Sequence, residues 1–89
     1  MKKVEFDFNQ ISDLVTFYRE FKESFDLGDN FGSNLDALWD AVTGSIELPV
    51  EISFISLTPQ KRTRFAALVL LLEEAEEELE GELRFNVMS

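Results

Sequence analysis

The sequence contains no cysteine and no histidine. Without these side chains the protein has no disulfide, no thiol nucleophile, no thiolate or imidazole metal ligand, and no Ser-His or Cys-His pair. These absences exclude most nucleophilic hydrolases and the usual zinc enzymes. The lack of disulfides also fits a protein that works in a reducing compartment.

Basic residues are scarce. The chain has 8 Lys and Arg residues against 18 Asp and Glu residues, which gives a net charge of −10. Nucleic acids and anionic membrane surfaces repel such a polyanion, so we expect neither as a partner. The charge suits a basic protein partner, and the alternative explanation is that it serves solubility alone.

Long hydrophobic segments are also absent. The longest apolar run, Phe65–Leu72, has eight residues, far fewer than a transmembrane helix needs. After Met1-Lys2-Lys3, residues 4–8 alternate between apolar and acidic side chains, unlike the apolar run of a secretion signal. We therefore expect a cytoplasmic protein. Its 89 residues, 45% of them hydrophobic, predict one domain over residues 1–89, monomeric when free and without a cofactor.

Hydrophobic periodicity predicts an α/β fold in the order β-α-α-β-α-β. Strands joined through helical crossovers form a parallel sheet, here of three strands packed with three to four helices. The predicted strands are Val4–Phe8, Val50–Ser56 and Leu83–Met88. The predicted helices run from an N-cap at Ser12 to about Phe25, from an N-cap at Ser33 to a stop at Gly44, and from an N-cap at Thr58 to about Glu80.

Each predicted helix has a distinct feature. The first carries an apolar stripe that we assign to the core, and the second has a capping box from Ser33 to Asp36. The third is either continuous until Gly81 ends it or broken near residues 62–64. The core stripe of the first helix is Leu14, Phe17, Tyr18, Phe21 and Phe25, and the buried face of the second is Leu35, Leu38, Trp39 and Val42.

The acidic residues are concentrated in two segments. Residues 26–53 and 65–83 together contain 13 of the 18 acids and no base. In the second helix, Asp36, Asp40 and Thr43 share one face, and like charges at this spacing mildly destabilise a helix. In the last helix, bases lie near the start and glutamates near the end, opposite to the preference of the macrodipole. These faces are either binding surfaces or merely solvated ones.

The segment Phe31-Gly32-Ser33-Asn34-Leu35-Asp36-Ala37-Leu38-Trp39-Asp40-Ala41-Val42-Thr43-Gly44 resembles the loop and helix that mark the barstar family. Members of that family are intracellular inhibitors of the secreted bacterial ribonuclease barnase. Chain length, element order and the closing strand also agree with it. The resemblance implies a parallel sheet in the order 1-2-3 and an inhibitor whose carboxylates occupy the positions of RNA phosphates in a basic cleft.

The resemblance also implies a set of partner-binding residues. Asp40 is the acid that faces the basic cluster of the ribonuclease, and Asp36 is a second acid on the same face. Glu76 is the acid contributed by the last helix, and Trp39 is mainly structural. The remaining predicted contacts are Asn30, Phe31, Gly32, Asn34, Leu35, Thr43 and Gly44.

This sequence departs from the family pattern at Asn30 and Ser45, where the family has aromatic residues. Aromatic residues are frequent interface hot spots, so the target is either a barnase-type ribonuclease or another basic protein. Two further hypotheses are a hydrolase that uses Asp36 and Asp40 as an acid-base pair, and a metal site among the glutamates of residues 73–80. We expect no enzymatic activity, because no substrate-binding side chains accompany the two aspartates.

Overall fold

The computed structural model describes all residues, 1–89. It confirms the predicted α/β fold, a three-stranded parallel sheet with four helices. The strands are β1 (Lys2–Asp7), β2 (Val50–Ile55) and β3 (Leu83–Val87), and the helices are α1 (Leu14–Ser24), α2 (Leu35–Gly44), α3 (Pro59–Arg64) and α4 (Ala66–Glu78).

The sheet has the strand order β1-β2-β3, with β2 in the centre. Val4 lies opposite Ile52, which in turn lies opposite Phe85, and all three are buried. Their neighbours along the edge strands, Lys3 and Arg84, are exposed. Side chains alternate between the two faces of a strand, so one face of the sheet carries the core.

Aromatic side chains fill the space between this face and the helices. The Phe8 and Phe54 ring centroids lie 4.8 Å apart, and Phe17 of α1 lies 5.6 Å from Phe54. The predicted stripe of α1 is buried at Phe17, Tyr18, Phe21 and Phe25. Its first member is an exception: Leu14, the first residue of α1, is 46% exposed.

Both N-terminal helices begin one residue later than predicted. The carboxylate of Asp13 accepts a hydrogen bond from the Thr16 N–H at 2.8 Å, and the side chain of Asn34 accepts one from the Ala37 N–H at 2.8 Å. Asp13 and Asn34, not Ser12 and Ser33, are therefore the N-caps. Neighbouring residues of equal capping ability leave this choice to tertiary packing. The predicted capping box with Asp36 is absent.

The last helical segment is broken at Phe65, which is one of the two predicted alternatives. Phe65 is buried against Phe8, with ring centroids 4.9 Å apart, and it ends α3 and begins α4. Lys61, Arg62 and Arg64 thus lie in the last turn of α3, where the helix dipole favours positive charge. The predicted macrodipole conflict is wrong for these bases, but it holds for the glutamates at the end of α4.

The helix ends also differ from prediction. Gly44 is the last residue of α2 and not a residue beyond it. After α4, the left-handed position is taken by Glu80, with φ 51°, followed by Gly81 with φ 88°. Asp26 occupies the equivalent position after α1, also with φ 51°. Two acidic residues thus stand where glycine is usually favoured.

Candidate functional site

Helix α2 presents two sides with different chemistry. Leu38, Ala41 and Val42 are buried in the core, whereas Asp36 and Asp40 are exposed on the outer side. The buried side fixes the rotation of the helix, so the two carboxylates are held toward solvent one turn apart. The predicted pairing of these residues on one exposed face is therefore present.

The loop before α2 is fixed to α1. The Phe31 ring packs on Phe21 and Tyr18, with centroid distances of 5.7 and 6.3 Å. Lys22 Nζ lies 3.0 Å from the carboxylate of Asp29, and the Phe31 N–H donates to the Gly28 carbonyl at 3.0 Å. Phe31, a predicted contact, is thus half-buried and also holds the loop in place.

A groove of about 280 Å³ separates this loop from α2. Asp40 lies on the helix side, and Ser45 lies just beyond the end of the helix. A side chain added at Gly32 would touch the first turn of α2, with its Cβ 3.5 Å from that of Ala37. The structure therefore brings together four of the predicted contacts: Asn30, Phe31, Gly32 and Asp40.

The first turn of α2 borders a second groove, on the side of α1. Asn34, Leu35 and Asp36 line it together with Leu14 and other residues of α1, and its volume is about 530 Å³. The Asn34 side chain is already engaged as the N-cap, so this predicted contact has a structural role in the free protein. Leu35 is 41% exposed, although the sequence pattern placed it on the buried face.

Thr43 and Gly44 lie at the far end of α2, outside the grooves that Asp36 and Asp40 line. The Thr43 hydroxyl donates to the Trp39 carbonyl at 2.7 Å, a bond inside the helix. The structure thus places these two predicted contacts at the periphery of the candidate site, outside its grooves.

The electrostatics of the site are simple. The one ion pair within 4 Å in the chain joins Lys22 to Asp29. The carboxylates of Asp36 and Asp40 accept no hydrogen bond from the protein and have no basic group within that distance. No group of three or more acidic side chains is arranged to hold a metal ion. The site therefore presents two fixed negative charges that no basic side chain of the protein pairs with.

The chain is similar to known proteins along nearly its whole length. The family described as "Barstar (barnase inhibitor)" matches residues 1–88. A protein of Bacillus subtilis (strain 168) named "Putative ribonuclease inhibitor YrdF" is 31% identical over 90 residues, covering 98% of this chain and 99% of that protein. The chain belongs to the barstar family. The family is one of inhibitors, and the expectation of a parallel three-stranded fold is confirmed.

The barstar resemblance assigns an acid of the last helix, Glu76, to the partner surface, and the structure gives this residue an internal bond. Its Oε2 atom accepts a hydrogen bond from the Phe85 N–H of β3 at 3.0 Å. The Glu76 side chain therefore reaches toward β3. The other oxygen, Oε1, has no partner in the protein.

A different set of α4 glutamates lies beside α2, and of these the sequence pointed only to Glu80, as an acid at the rim of the barstar-type site. Trp39, which is half-buried, shares an open groove of about 620 Å³ with these glutamates. Residues three to four positions apart lie on the same side of a helix. Once the buried positions of α4 are known, this rule places these glutamates on a different side of the helix from Glu76. They are Glu74, Glu77, Glu78 and, just after the helix, Glu80.

None of the helices is both long enough and apolar enough to cross a membrane.

Proposed function

We propose that this member of the barstar family inhibits a basic bacterial ribonuclease of the barnase type by inserting α2 and the preceding loop into the RNA-binding cleft. In this proposal Asp40 and Asp36 occupy positions that RNA phosphates take in the substrate complex. The observation that carries it is the pair of exposed carboxylates without internal partners on a helix fixed by its buried side.

The rigidity of the site supports this proposal. The loop is held on α1 before any partner binds, chiefly by the Phe31 ring on Phe21 and Tyr18, since the Lys22–Asp29 ion pair is exposed and adds little. A surface that is already ordered loses less entropy on association, and more of the contact energy then remains as affinity. The unpaired carboxylates also lose no internal salt bridge when a basic partner arrives.

The contribution of α4 follows from its geometry. We propose that Glu74 and Glu77, which share the Trp39 groove, meet basic residues at the edge of the cleft. Glu76 stays a proposed contact through Oε1, because its other oxygen is bound to β3. Asn30, Gly32, Asn34, Leu35, Thr43 and Gly44 complete the proposed surface by shape and backbone contacts.

The test is titration of the purified chain into a barnase-type ribonuclease while RNA cleavage is followed. We expect cleavage to fall stoichiometrically with the wild-type chain and much less with Asp40→Asn, which keeps the shape of the side chain and removes its charge. The chain alone should release no product from RNA. Undiminished cleavage at a molar excess of the chain would overturn the inhibitor proposal, and turnover by the chain alone, lost in Asp36→Asn, would favour the hydrolase hypothesis.

A second candidate function is binding of a different basic protein. Asn30 and Ser45, where the family has aromatic residues, both line the groove of about 280 Å³ beside Asp40. A target whose own side chain fills this groove would bind better than one that requires aromatic residues there. If Asn30→Tyr with Ser45→Trp converts weak inhibition of a barnase-type enzyme into tight inhibition, the natural target is another basic protein. No gain would favour the first candidate.

We further propose that the free protein is monomeric and cytoplasmic, and that it requires no cofactor and binds neither nucleic acid nor membrane. The high negative charge supports these proposals, because it disfavours both self-association and polyanionic partners.

A further inference from the structure

Four exposed apolar side chains lie around the first turn of α2. Val15 is 72% exposed, Leu70 60%, Leu14 46% and Leu35 41%. The remaining large apolar residues with such exposure are Met1 and Met88, at the two ends of the chain. Single exposed apolar residues are ordinary, but neighbouring ones mark interaction surfaces.

Leu35 makes these residues one continuous surface. On one side it lines the groove shared with Leu14 and Val15 of α1. On the other side it lines a groove of about 360 Å³ shared with residues of α4. We call this surface the apolar belt, and it consists of Leu14, Val15, Leu35, Ala67, Leu70 and Leu71.

The charges beside the apolar belt indicate what covers it. Asp36 lines both of its grooves, Glu74 lines one, and no basic residue lines either. A second copy of this chain would bring another net charge of −10 to an acidic margin, which is repulsive. A basic protein brings charge of the opposite sign, so it is the occupant that the electrostatics favour.

We infer that the apolar belt is the hydrophobic part of the partner interface and contacts an apolar patch beside the basic cleft of the same protein that receives Asp36 and Asp40. This inference rests on the proposed function. It also explains how the site works without aromatic residues at positions 30 and 45, since the apolar contact is supplied on the other side of α2.

The test compares wild type, the double variant Val15→Ser with Leu70→Ser, and the control Met88→Ser, which removes an exposed apolar side chain outside the belt. The probe is a barnase-type ribonuclease, and the affinity is measured at about 0.1 M and about 1 M salt, where the Debye length is about 10 and about 3 Å. Both belt residues are exposed, so circular dichroism should show an unchanged fold.

We expect the double variant to bind at least about tenfold more weakly at both salt concentrations, because apolar contacts are not screened, whereas Met88→Ser should bind like wild type. The loss caused by Glu77→Ala, which removes an exposed charge at the edge of the cleft, should shrink as salt increases. Equal binding by wild type and double variant would overturn the belt inference and leave the proposed function intact. Absence of wild-type binding would overturn both. A wild-type dimer in sedimentation that the double variant abolishes would assign the belt to a second copy and overturn the inference.

Discussion

Asp36 and Asp40 have the same side chain and the same exposed face, but only Asp36 has a role in the free helix. Asp36 lies in the first turn of α2, where a carboxylate interacts favourably with the helix dipole by about 0.3–1 kcal/mol. Asp40 lies in the middle of the helix, and its carboxylate is one turn from a like charge and accepts no hydrogen bond. Since the Asp40 carboxylate does not stabilise the free fold, binding of a partner is the better explanation for its presence.

We therefore predict different effects of Asp40→Ala on affinity and stability. Affinity for the partner should fall by about 2–5 kcal/mol, as when one member of a desolvated charge pair is removed. The free energy of unfolding should change by no more than about 0.5 kcal/mol. Calorimetric titration and urea unfolding of the same samples measure the two quantities. Parallel losses in both would show that Asp40 is structural.

Glu76 is the opposite case, because its carboxylate is part of the fold. We predict that Glu76→Ala lowers the free energy of unfolding by about 1–3 kcal/mol, since the Phe85 N–H at the edge of β3 loses its acceptor. Glu76→Gln should lose less, because the amide oxygen can still accept this bond. Glu74→Ala is the matched control on the exposed side of α4 and should change stability by no more than about 0.5 kcal/mol. If both alanine variants unfold at the same urea concentration, the Glu76 bond has no structural value.

Asp13 couples the stability of α1 to pH. The hydrogen bonds from Thr16 hold the pKa of the Asp13 carboxyl below its ordinary value of 3.8. A pKa that is lowered in the folded state gives stability that is fully present above the unfolded pKa and is lost as the pH falls through the folded pKa. Wild type should thus be more stable than Asp13→Asn near pH 6, and the difference should shrink below about pH 4. Urea unfolding across this range measures it, and a difference that is independent of pH would exclude a role for the charge.

At the scale of elements, the ends of α1 and α4 share one arrangement. After α4, the Gly81 N–H donates to the Glu76 carbonyl at 3.3 Å and the Glu80 N–H to the Glu77 carbonyl at 3.2 Å, which places Glu80 in the left-handed conformation. This bonding pattern usually has glycine at the left-handed position. Glu80 is also a negative charge at the negative end of a helix dipole.

We predict that Glu80→Gly stabilises the protein by about 0.5–1 kcal/mol, because glycine adopts this conformation without strain even after its greater entropy in the unfolded chain is counted. Glu80→Ala removes the charge but keeps the strained backbone, so its gain should be smaller. Thermal unfolding of the two variants separates strain from charge. A larger gain for alanine than for glycine would show that backbone strain is unimportant here.

The strands and helices also show which features of the fold can be predicted from the sequence. The strands and the parallel order followed from alternation and crossover rules, because Val4, Phe6, Ile52 and Phe54 form unambiguous apolar patterns. The prediction of Ser12 as the cap of α1 was wrong, since Ser12 and Asp13 both cap well and the packing of Phe17 and Phe21 decides between them. The orientation of Glu76 toward β3 depended on the rotation of α4, which is fixed only when Leu68, Leu72 and Ala75 enter the core.

At the scale of the whole molecule, positive and negative charges have separate roles. Lys61 Nζ donates to the Phe8 carbonyl at 2.7 Å, and Arg64 donates to the Ser12 carbonyl at 3.1 Å, so these bases tie α3 to the segment between β1 and α1. The acids of α2 and of the α2 side of α4 have no such bonds. The sequence predicted this separation from two base-free segments, but it could not show that Trp39 joins them into one surface.

This surface should steer the partner during association. Unpaired charges on one side of a molecule raise the rate of encounter with an oppositely charged cleft, and salt screens this long-range attraction. We predict that the association rate constant falls steeply as ionic strength rises from about 0.01 to about 0.15 M, while the dissociation rate constant changes little, because desolvated contacts are screened weakly.

Glu74→Ala and Glu77→Ala should slow association, whereas Asp40→Ala should act mainly by speeding dissociation. Glu5→Ala, which removes an exposed acid on β1 outside both acidic segments, is the control and should leave association nearly unchanged. Stopped-flow measurements at both ionic strengths provide the rates, and an association rate independent of salt would mean that the acidic surface is solvated only and does not guide binding.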